Sequence, residues 1–327
     1  MDLRENGTAP VSGVGLKTAT RAILQSIFMQ TTVTNMLALR TNLADYPVTM
    51  ALKEGRITSP LVSLHFCGPK TAHDGFKAML RENAFDAGEL AIVTYLQAKA
   101  YGKPWVLLPT PISGRFQHHC IGFNIEHGDL KPKDIEGRVV GVRTYAQTTG
   151  LWVRGILQHE YGVDLEKVNW VTVDESHLTE YRDPPNCKRL PPGSKIDQMM
   201  LNGEVAAAIL GVDMPKDPRV RTLVPDPHAA AQKWYEREGV IPINHMFAVH
   251  QDIARKRPDV VRELARMIVE SRAAAPAAAA ASIPPLGLEA NRKGLEMAIE
   301  WSFEQKIIPR RFKVDELFDD TTATLGV

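Results

Sequence analysis

The chain has 327 residues, of which 44% are hydrophobic and 24% charged, and its formal net charge at pH 7 is +1. A single hydrophobic core seldom grows beyond about 250–300 residues, so this length predicts two lobes. A net charge so close to zero supplies no long-range positive field toward polyanions or anionic lipid. We therefore expect neither nucleic acid nor a membrane as a partner.

The cysteines Cys67, Cys120 and Cys187 are few, widely separated and odd in number. This spacing argues against both a disulfide framework and a cysteine-based zinc site. The first residues show no apolar segment followed by a small-residue cleavage site, and no apolar run is long enough to span a bilayer. From these features we predict a cytoplasmic protein without an export signal.

The first part of the chain alternates between strand and helix after an N-terminal extension over residues 1–33. We predict a strand over Met36–Arg40, a helix from Pro47 to Gly55, a strand over Leu61–Phe66, a helix carrying Phe76, Met79 and Leu80, and a strand over Trp105–Leu108. Between the last two elements, Phe85–Asp86 predicts a turn into a further helix that Glu89 opens.

A second lobe is predicted from about residue 124. We predict strands over Arg138–Arg143, Val168–Val173 and Val205–Leu210, with helices after Thr148 and over Ile196–Leu201. The proline-rich residues 182–194 predict a surface loop or lid. From about Trp234 the chain should return to the first lobe, with an amphipathic helix after Pro258 and a last helix through Trp301.

This order predicts an α/β fold whose lobes are residues 34–123 with 236–327, and residues 124–235. Each lobe should be a mainly parallel sheet flanked by helices, because strands alternate with helices of βαβ length. Ligands of open α/β sheets bind beyond the carboxyl ends of the strands. We therefore predict a ligand cleft between the lobes.

Two segments resemble the second lobe of type II periplasmic solute-binding proteins. Residues 134–142 read Asp-Ile-Glu-Gly-Arg-Val-Val-Gly-Val and are followed by Thr148, and residues 201–207 read Leu-Asn-Gly-Glu-Val-Ala-Ala. The resemblance implies a two-lobed type II periplasmic-binding-protein-like fold that closes on a small anion.

A sharper resemblance covers most of the chain from about residue 45. It rests on Tyr-Ala-Gln-Thr at 145–148, Trp-Val-Arg-Gly-Ile-Leu at 152–157, Arg-Phe-Gln-His at 115–118 and Pro-Ile-Asn-His at 242–245. These motifs are similar to those of the 4,5-dihydroxyphthalate decarboxylases, cytoplasmic enzymes of aromatic catabolism. The resemblance implies a carboxy-lyase of phthalate degradation that converts 4,5-dihydroxyphthalate, or a close analogue, to protocatechuate or a similar product.

The chain departs from that family at two positions. Gln117 stands where the family usually has arginine, and Asn244 stands where it usually has methionine. Both changes fall where substrate contacts are expected, so they leave the identity of the acid open. They favour a ligand with one charge fewer than 4,5-dihydroxyphthalate.

An aromatic carboxylate calls for charge-assisted donors, and arginine pairs with it in a bidentate manner. Arg115 and Arg143 follow predicted strands, whereas Arg154 lies one turn inside a helix and is equally compatible with a surface position. Thr148 begins that helix, whose free backbone N–H groups and positive dipole end attract anions. With the family motifs, we predict substrate contacts from these four residues and from Tyr145, Gln147 and Asn244.

Ring decarboxylation also needs a base at a ring hydroxyl and an acid at the ring carbon that loses carbon dioxide. Histidine serves both tasks near neutral pH. The family motifs point to His118 and His245, with Glu89 as a further acid or base; adjacent residues point apart, so His118 and His119 should not both face the cleft. Seven other histidines should be ordinary: His65, His73, His127, His159, His177, His228 and His250.

Two alternatives stay open at this point. His118, His245 and Glu89 are chemically suited to hold a divalent metal that a catechol would chelate, although no metal-ligand spacing is present, so we expect no cofactor and favour a metal less. The protein is alternatively a non-catalytic receptor for a small aromatic or sulfonate-like anion. The sequence shows no nucleotide-binding or serine-hydrolase motif and is compatible with a homo-oligomer.

Overall fold

The computed structural model describes Met1 and residues 36–325, and the elements of the fold all belong to the compact unit that begins at Leu37. Apart from Met1, the predicted extension over residues 1–33 lies outside the described residues. Within these ranges, no helix combines the length and the apolar character needed to cross a membrane.

The strands form two mixed sheets. The first has the order β2-β1-β3-β11-β4, and the second has the order β10-β5-β9-β6-β7-β8. Their bounds are β1 Leu37–Asn42, β2 Val62–Phe66, β3 Ala87–Ala91, β4 Trp105–Gly114, β5 Ile121–Asn124, β6 Val139–Val142, β7 Asn169–Thr172, β8 Cys187–Arg189, β9 Ala207–Ile209, β10 Val220–Thr222 and β11 Ile243–His250.

The α-helices of the described chain lie between these strands and after them. Their bounds are α1 Met50–Lys53, α2 Phe76–Arg81, α3 Ile92–Ala100, α4 Thr148–Tyr161, α5 Ile196–Leu201, α6 Pro227–Glu238, α7 Gln251–Lys256, α8 Pro258–Ala273, α9 Ala277–Ala281 and α10 Leu288–Glu304. The predicted helices after Pro258 and through Trp301 correspond to α8 and α10.

The chain passes between the sheets at two places. It leaves the first sheet at the end of β4 and begins the second with β5 at Ile121, a few residues before the predicted start of the second lobe. It returns with β11, which runs antiparallel to both β3 and β4. These crossing strands make the sheets mixed, whereas β1–β2, β1–β3, β6–β7, β6–β9 and β7–β8 pair in parallel as predicted.

The structure corrects two expectations about local structure. Residues 87–91, predicted to start a helix at Glu89, form strand β3, which is buried along its whole length between β1 and β11. A strand covered on both faces shows no alternation of polar and apolar residues, so periodicity could not reveal it. The proline-rich segment 182–194 contains β8, which pairs in parallel with β7.

Candidate functional site

The centre of the candidate site is a buried carboxylate bound to an imidazole. In the β3–β11 pairing, Ala91 lies opposite His245 and Glu89 lies opposite Phe247. Glu89 and His245 are therefore diagonal neighbours on one face of the sheet, within reach of long side chains. His245 Nδ1 lies 2.5 Å from Glu89 Oε2, so the two residues form a direct hydrogen-bonded pair.

Three donors surround the carboxylate of Glu89, whose side chain has no exposed surface. Besides His245, the Ala44 backbone N–H donates to Oε1 at 2.7 Å, and the Tyr46 hydroxyl donates to Oε2 at 3.1 Å. Burial and the negative charge of Glu89 raise the pKa of Tyr46, so this phenol remains a donor. These bonds compensate the cost of burying a charged carboxylate.

The second ring nitrogen of His245, Nε2, is not bonded to Glu89. A carboxylate only accepts hydrogen bonds, so Nδ1 carries the proton that it shares with Glu89, and in the neutral ring Nε2 is an acceptor. Among the described residues, Nε2 has no hydrogen-bond partner, and the side chain is 18% exposed. The ring edge of Phe76, whose centroid is 5.5 Å away, fixes the imidazole plane. The Nε2 atom is thus free to take a proton from a ligand.

Two further histidines lie near this pair, and sequence reasoning missed both. His177 packs on Phe76 at 5.4 Å between ring centroids, and its Nδ1 lies 2.9 Å from Thr94 Oγ1. Burial and the charge of Arg143 lower the pKa of His177 to about 3, so its imidazole is neutral at physiological pH.

His73 is the second of these histidines. Its Nε2 lies 3.3 Å from Asp74 Oδ1, and burial, followed by the positive charge of Arg143, lowers its pKa. His73 and His177 lie in segments outside the α-helices and strands, and no motif or spacing in the sequence marks them. Only the fold, which packs His177 and His245 on the same Phe76 ring, reveals a further histidine beside the Glu89–His245 pair.

Arg115 is the cation best placed to receive an anion. Within the described part of the chain it forms no ion pair, and its Nε is buried without a hydrogen-bond partner. A Cβ atom placed on Gly211 would lie 3.3 Å from Arg115 Nη2 and 3.6 Å from Thr149 Cγ2, so Arg115 reaches the start of α4. Arg143, by contrast, already pairs with Asp174 at 3.3 Å.

The N-terminus of α4 adds donors beside Arg115. Gln147 is the N-cap residue, and its Oε1 is buried without a partner in the described structure. Thr148 Oγ1 accepts a hydrogen bond from the Val93 backbone N–H at 3.3 Å, which links the start of α4 to the start of α3. The first-turn N–H groups of an α-helix lack intrahelical acceptors and favour anions. Arg115 and α4 together can hold a carboxylate or a sulfonate.

Arg154 and Tyr145 contact each other in the interior. Arg154 is fully buried; its Nε donates to Gln305 Oε1 at 2.8 Å and its Nη2 donates to the Tyr145 carbonyl at 2.6 Å. Its Cζ lies 3.9 Å from the centroid of the Tyr145 ring and 5.4 Å from that of Trp170. Its Nη1 is buried without a hydrogen-bond partner among the described residues, so the substrate contacts of Arg154 and Tyr145 stay predictions.

His118 makes no hydrogen bond with Glu89 or His245 in the described structure, and its Nδ1 is buried without a partner there. It is 2% exposed, packs on Trp234 at 6.0 Å between ring centroids, and lines a pocket of about 330 Å³ with Lys233 and Arg237. Burial, more than the nearby charges of His119 and Arg237, lowers its pKa to about 4. The action of His118 together with His245, and the three-ligand metal set that includes both, stay predictions.

His119 takes the other side of the 117–120 turn, as expected for adjacent residues. It is exposed, and the charge of Arg115 contributes to lowering its pKa after the larger effect of desolvation. Across residues 36–325, no group of three or more His, Cys, Asp or Glu side chains is arranged to hold a metal ion.

Gln117 and Asn244, the two departures from the family motifs, contact each other. Gln117 Nε2 donates to Asn244 Oδ1 at 2.8 Å, and both residues are buried. They were predicted to lie at substrate contacts. The structure bonds them to each other immediately before His245, and their contact with a substrate stays a prediction.

Comparison with known proteins confirms the resemblance drawn from the motifs. No family model matches the chain. The chain is 28% identical to the 4,5-dihydroxyphthalate decarboxylase of Comamonas testosteroni over 219 residues, which cover 61% of this chain and 64% of that protein. It is also 28% identical to the enzyme of the same name from Pseudomonas putida over 173 residues, covering 49% of this chain and 67% of that one. The chain thus spans less than two thirds of the length of the first of these decarboxylases and about two thirds of the second.

Solved structures confirm the fold class. The aliphatic sulphonate-binding protein SsuA of Escherichia coli matches with a TM-score of 0.55 and 14% identity, over 86% of this chain and 92% of that one. The alkanesulfonate-binding SsuA of Xanthomonas axonopodis pv. citri matches at 0.52 and 13%, over 86% and 98%. The desulfurization enzyme DSZB matches at 0.53 and 12%, over 87% and 97%. The chain therefore has the type II periplasmic-binding fold.

Proposed function

We propose that this protein is a decarboxylase of a hydroxylated aromatic acid, 4,5-dihydroxyphthalate or a close analogue. The observation that carries the proposal is the Glu89–His245 pair, in which a fully buried carboxylate holds Nδ1 and leaves Nε2 open. A receptor that only binds an anion gains nothing from a proton acceptor of this kind. The similarity to two decarboxylases supports the same conclusion.

In this reaction His245 Nε2 removes the proton of a ring hydroxyl para to the carboxylate. The oxyanion pushes electron density to the carbon that bears the carboxylate, which takes up a proton. The bond between that carbon and the carboxylate then breaks, carbon dioxide leaves, and the bonding electrons restore the aromatic ring. Glu89 stabilises the imidazolium that forms on His245 and keeps the ring in one tautomer.

The ring carbon needs a proton donor of its own, and the net reaction consumes one proton from solvent. His177 packs on the same Phe76 ring as His245, and one nitrogen of its neutral imidazole lies 2.9 Å from Thr94 Oγ1. An imidazole held in this way can orient a water molecule beside the ligand. We propose that a water at His177 delivers the proton to the ring carbon.

The carboxylate is held by Arg115 and by the start of α4. Arg115 carries an unpaired buried Nε, and Gln147 an unpaired buried Oε1 that suits a ring hydroxyl. We propose no bound cofactor and no role for nucleic acid or membrane. The proposal includes a cytoplasmic location and a place in phthalate degradation.

The test is to incubate the purified protein with hydroxylated phthalates and benzoates and to measure carbon dioxide, with and without a chelator. We expect release from at least one acid, undiminished by the chelator, and no release by His245→Gln. Loss of release with chelator would instead assign a metal to the reaction.

The competing candidate is a non-catalytic receptor for an aromatic or sulfonate-like anion. It is favoured by the unpaired Arg115 at a helix N-terminus, which suits a sulfonate as well as a carboxylate, and by the fold shared with SsuA. Calorimetry with the same acids and with arylsulfonates separates the two. Tight binding without turnover across the whole panel would establish the receptor and exclude the decarboxylase.

A further inference from the structure

Gln117 uses nearly all the hydrogen-bonding capacity of its amide inside the protein. Its Nε2 donates to Asn244 Oδ1 at 2.8 Å and to the Arg115 carbonyl at 3.1 Å, and its Oε1 accepts from Cys120 Sγ at 3.2 Å. The side chain has no exposed surface. An amide so fully occupied does not contact a ligand, so its function is to hold other residues.

Asn244 lies at an irregularity in β11. Ile243 pairs with Gly114 and His245 pairs with Ser113, so β11 advances by two residues where β4 advances by one. Such a β-bulge leaves the extra residue out of the ladder and changes the direction of neighbouring side chains, and bulges are frequent beside active sites. The bonded amide of Asn244 therefore fixes the bulge immediately before His245.

Gln117 also connects Asn244 to the backbone of Arg115. The Arg115 N–H donates to the Pro242 carbonyl at 3.1 Å, and its carbonyl accepts from Gln117. Arg115 is thus tied to both sides of the segment 242–244, directly before His245. The anion-binding arginine and the proton-accepting histidine are connected through a few short hydrogen bonds.

We propose that Gln117 and Asn244 form an amide brace that sets the position of His245 relative to Arg115. The inference rests on the proposed function, because it concerns how that site is assembled. Gln117 and Asn244 are positioning residues, since neither Gln117 nor the bonded oxygen of Asn244 faces a ligand. A displacement of about 1 Å between reacting groups is enough to reduce turnover about a hundredfold, so a brace of this kind controls the rate.

If Gln117 and Asn244 only fill space in the interior, the stability and the rate of their variants should change together, whereas the brace predicts that they separate. Gln117→Met or Asn244→Leu alone leaves one buried amide unpaired, which lowers stability whether or not the pair positions anything. The double variant leaves no unpaired partner within the pair and keeps similar volume, whereas the Arg115 carbonyl and the Cys120 thiol lose the bonds to Gln117 just as they do in Gln117→Met. Stability should therefore recover to at least that of Gln117→Met. Only the brace predicts that the rate fails to recover with it.

The experiment measures Tm, kcat and KM for wild type, the two single variants and the double variant. We expect the double variant to have a Tm at or above that of Gln117→Met, while its kcat remains at least about tenfold below that of wild type and its KM changes less than about threefold. Recovery of both Tm and kcat would reduce the pair to ordinary packing and overturn the proposal.

A second readout does not depend on turnover. The Cε1–H resonance of His245, assigned by its loss in His245→Gln, should shift in all three brace variants and remain in place in Glu238→Gln, a change at the end of α6. An unchanged resonance in the double variant would overturn the brace even if the protein is a decarboxylase. If the wild type releases no carbon dioxide, the proposed function fails, and the resonance still decides whether the brace exists.

Discussion

Glu89 and Arg154 are both charged, both fully buried and both predicted site residues, yet they belong to different kinds of environment. The partners of Glu89 include His245, whose second nitrogen remains open to a ligand. The partners of Arg154 are a carbonyl, an amide and two aromatic rings, which are all part of the interior. A buried charge whose partner still has an unused group at an accessible surface is therefore the better candidate for a functional site.

The largest effect should come from breaking the Glu89–His245 pair. Glu89→Gln replaces the carboxylate with an amide of the same shape that cannot stabilise an imidazolium, so kcat should fall about a thousandfold. Steady-state carbon dioxide release measures the rate, and calorimetry should show that ligand affinity changes less than about fivefold. Retention of more than a tenth of kcat would remove Glu89 from the reaction.

The next effect tests which arginine receives the anion. Arg115→Ala should raise KM about thirtyfold or more because it removes the unpaired cation, whereas Arg143→Ala, whose guanidinium already pairs with Asp174, should raise it less than about fivefold. Initial rates over a range of substrate concentrations measure both. Equal effects of the two substitutions would mean that our assignment of the carboxylate site is wrong.

Arg154→Met tests the other member of the comparison, the buried charge whose partners all lie in the interior. The change leaves Gln305 and the Tyr145 carbonyl without a donor, so stability should fall by roughly 2 kcal/mol. If the guanidinium serves the interior alone, kcat and KM of the folded protein should stay within about threefold of wild type. Urea unfolding and kinetics on the same preparation measure the two quantities, and a normal stability with a raised KM would restore Arg154 to the substrate site.

The smallest effect concerns His118, a buried group without a compensating charge. Its folded-state pKa of about 4 lies below the unfolded value of about 6.5, so the unfolded chain binds more protons between these values. This contribution to stability is complete above about pH 6.5 and is lost as the pH falls toward 4. His118→Phe should therefore flatten the pH dependence of the free energy of unfolding in this window, by on the order of 2 kcal/mol. His127→Phe is the surface control, and equal slopes for both variants would contradict the assignment.

Alternation of strands and helices, with family motifs, was sufficient to predict the fold class and to single out Glu89, His245 and Arg115. The context of Glu89 was predicted wrongly because β3 is covered on both faces and has no periodicity. The burial of Arg154 was not predicted, because a helix sequence does not state which of its faces meets the interior.

The remaining parts of the site depend on long-range contacts. His177 reaches Phe76 from a segment about a hundred residues later in the chain, and Gln117 meets Asn244 across 127 positions. Neither contact can be predicted from the spacing of residues along the sequence. The motif indicated His118, but the direction of the turn at residues 117–120, which separates it from His119, is set by packing against Trp234.

The hydrogen bond between Val93 and Thr148 brings the first turns of α3 and α4 together. Each of these turns is the positive end of a helix dipole, so the partial positive charges of α3 and α4 lie side by side and repel each other. An anion seated there relieves this repulsion and binds only the folded chain, which raises the melting temperature with ligand concentration. The melting temperature therefore reports the fraction of the protein that has bound an anion. A thermal-shift screen can rank candidate acids and sulfonates by this measure before any reaction product is assayed.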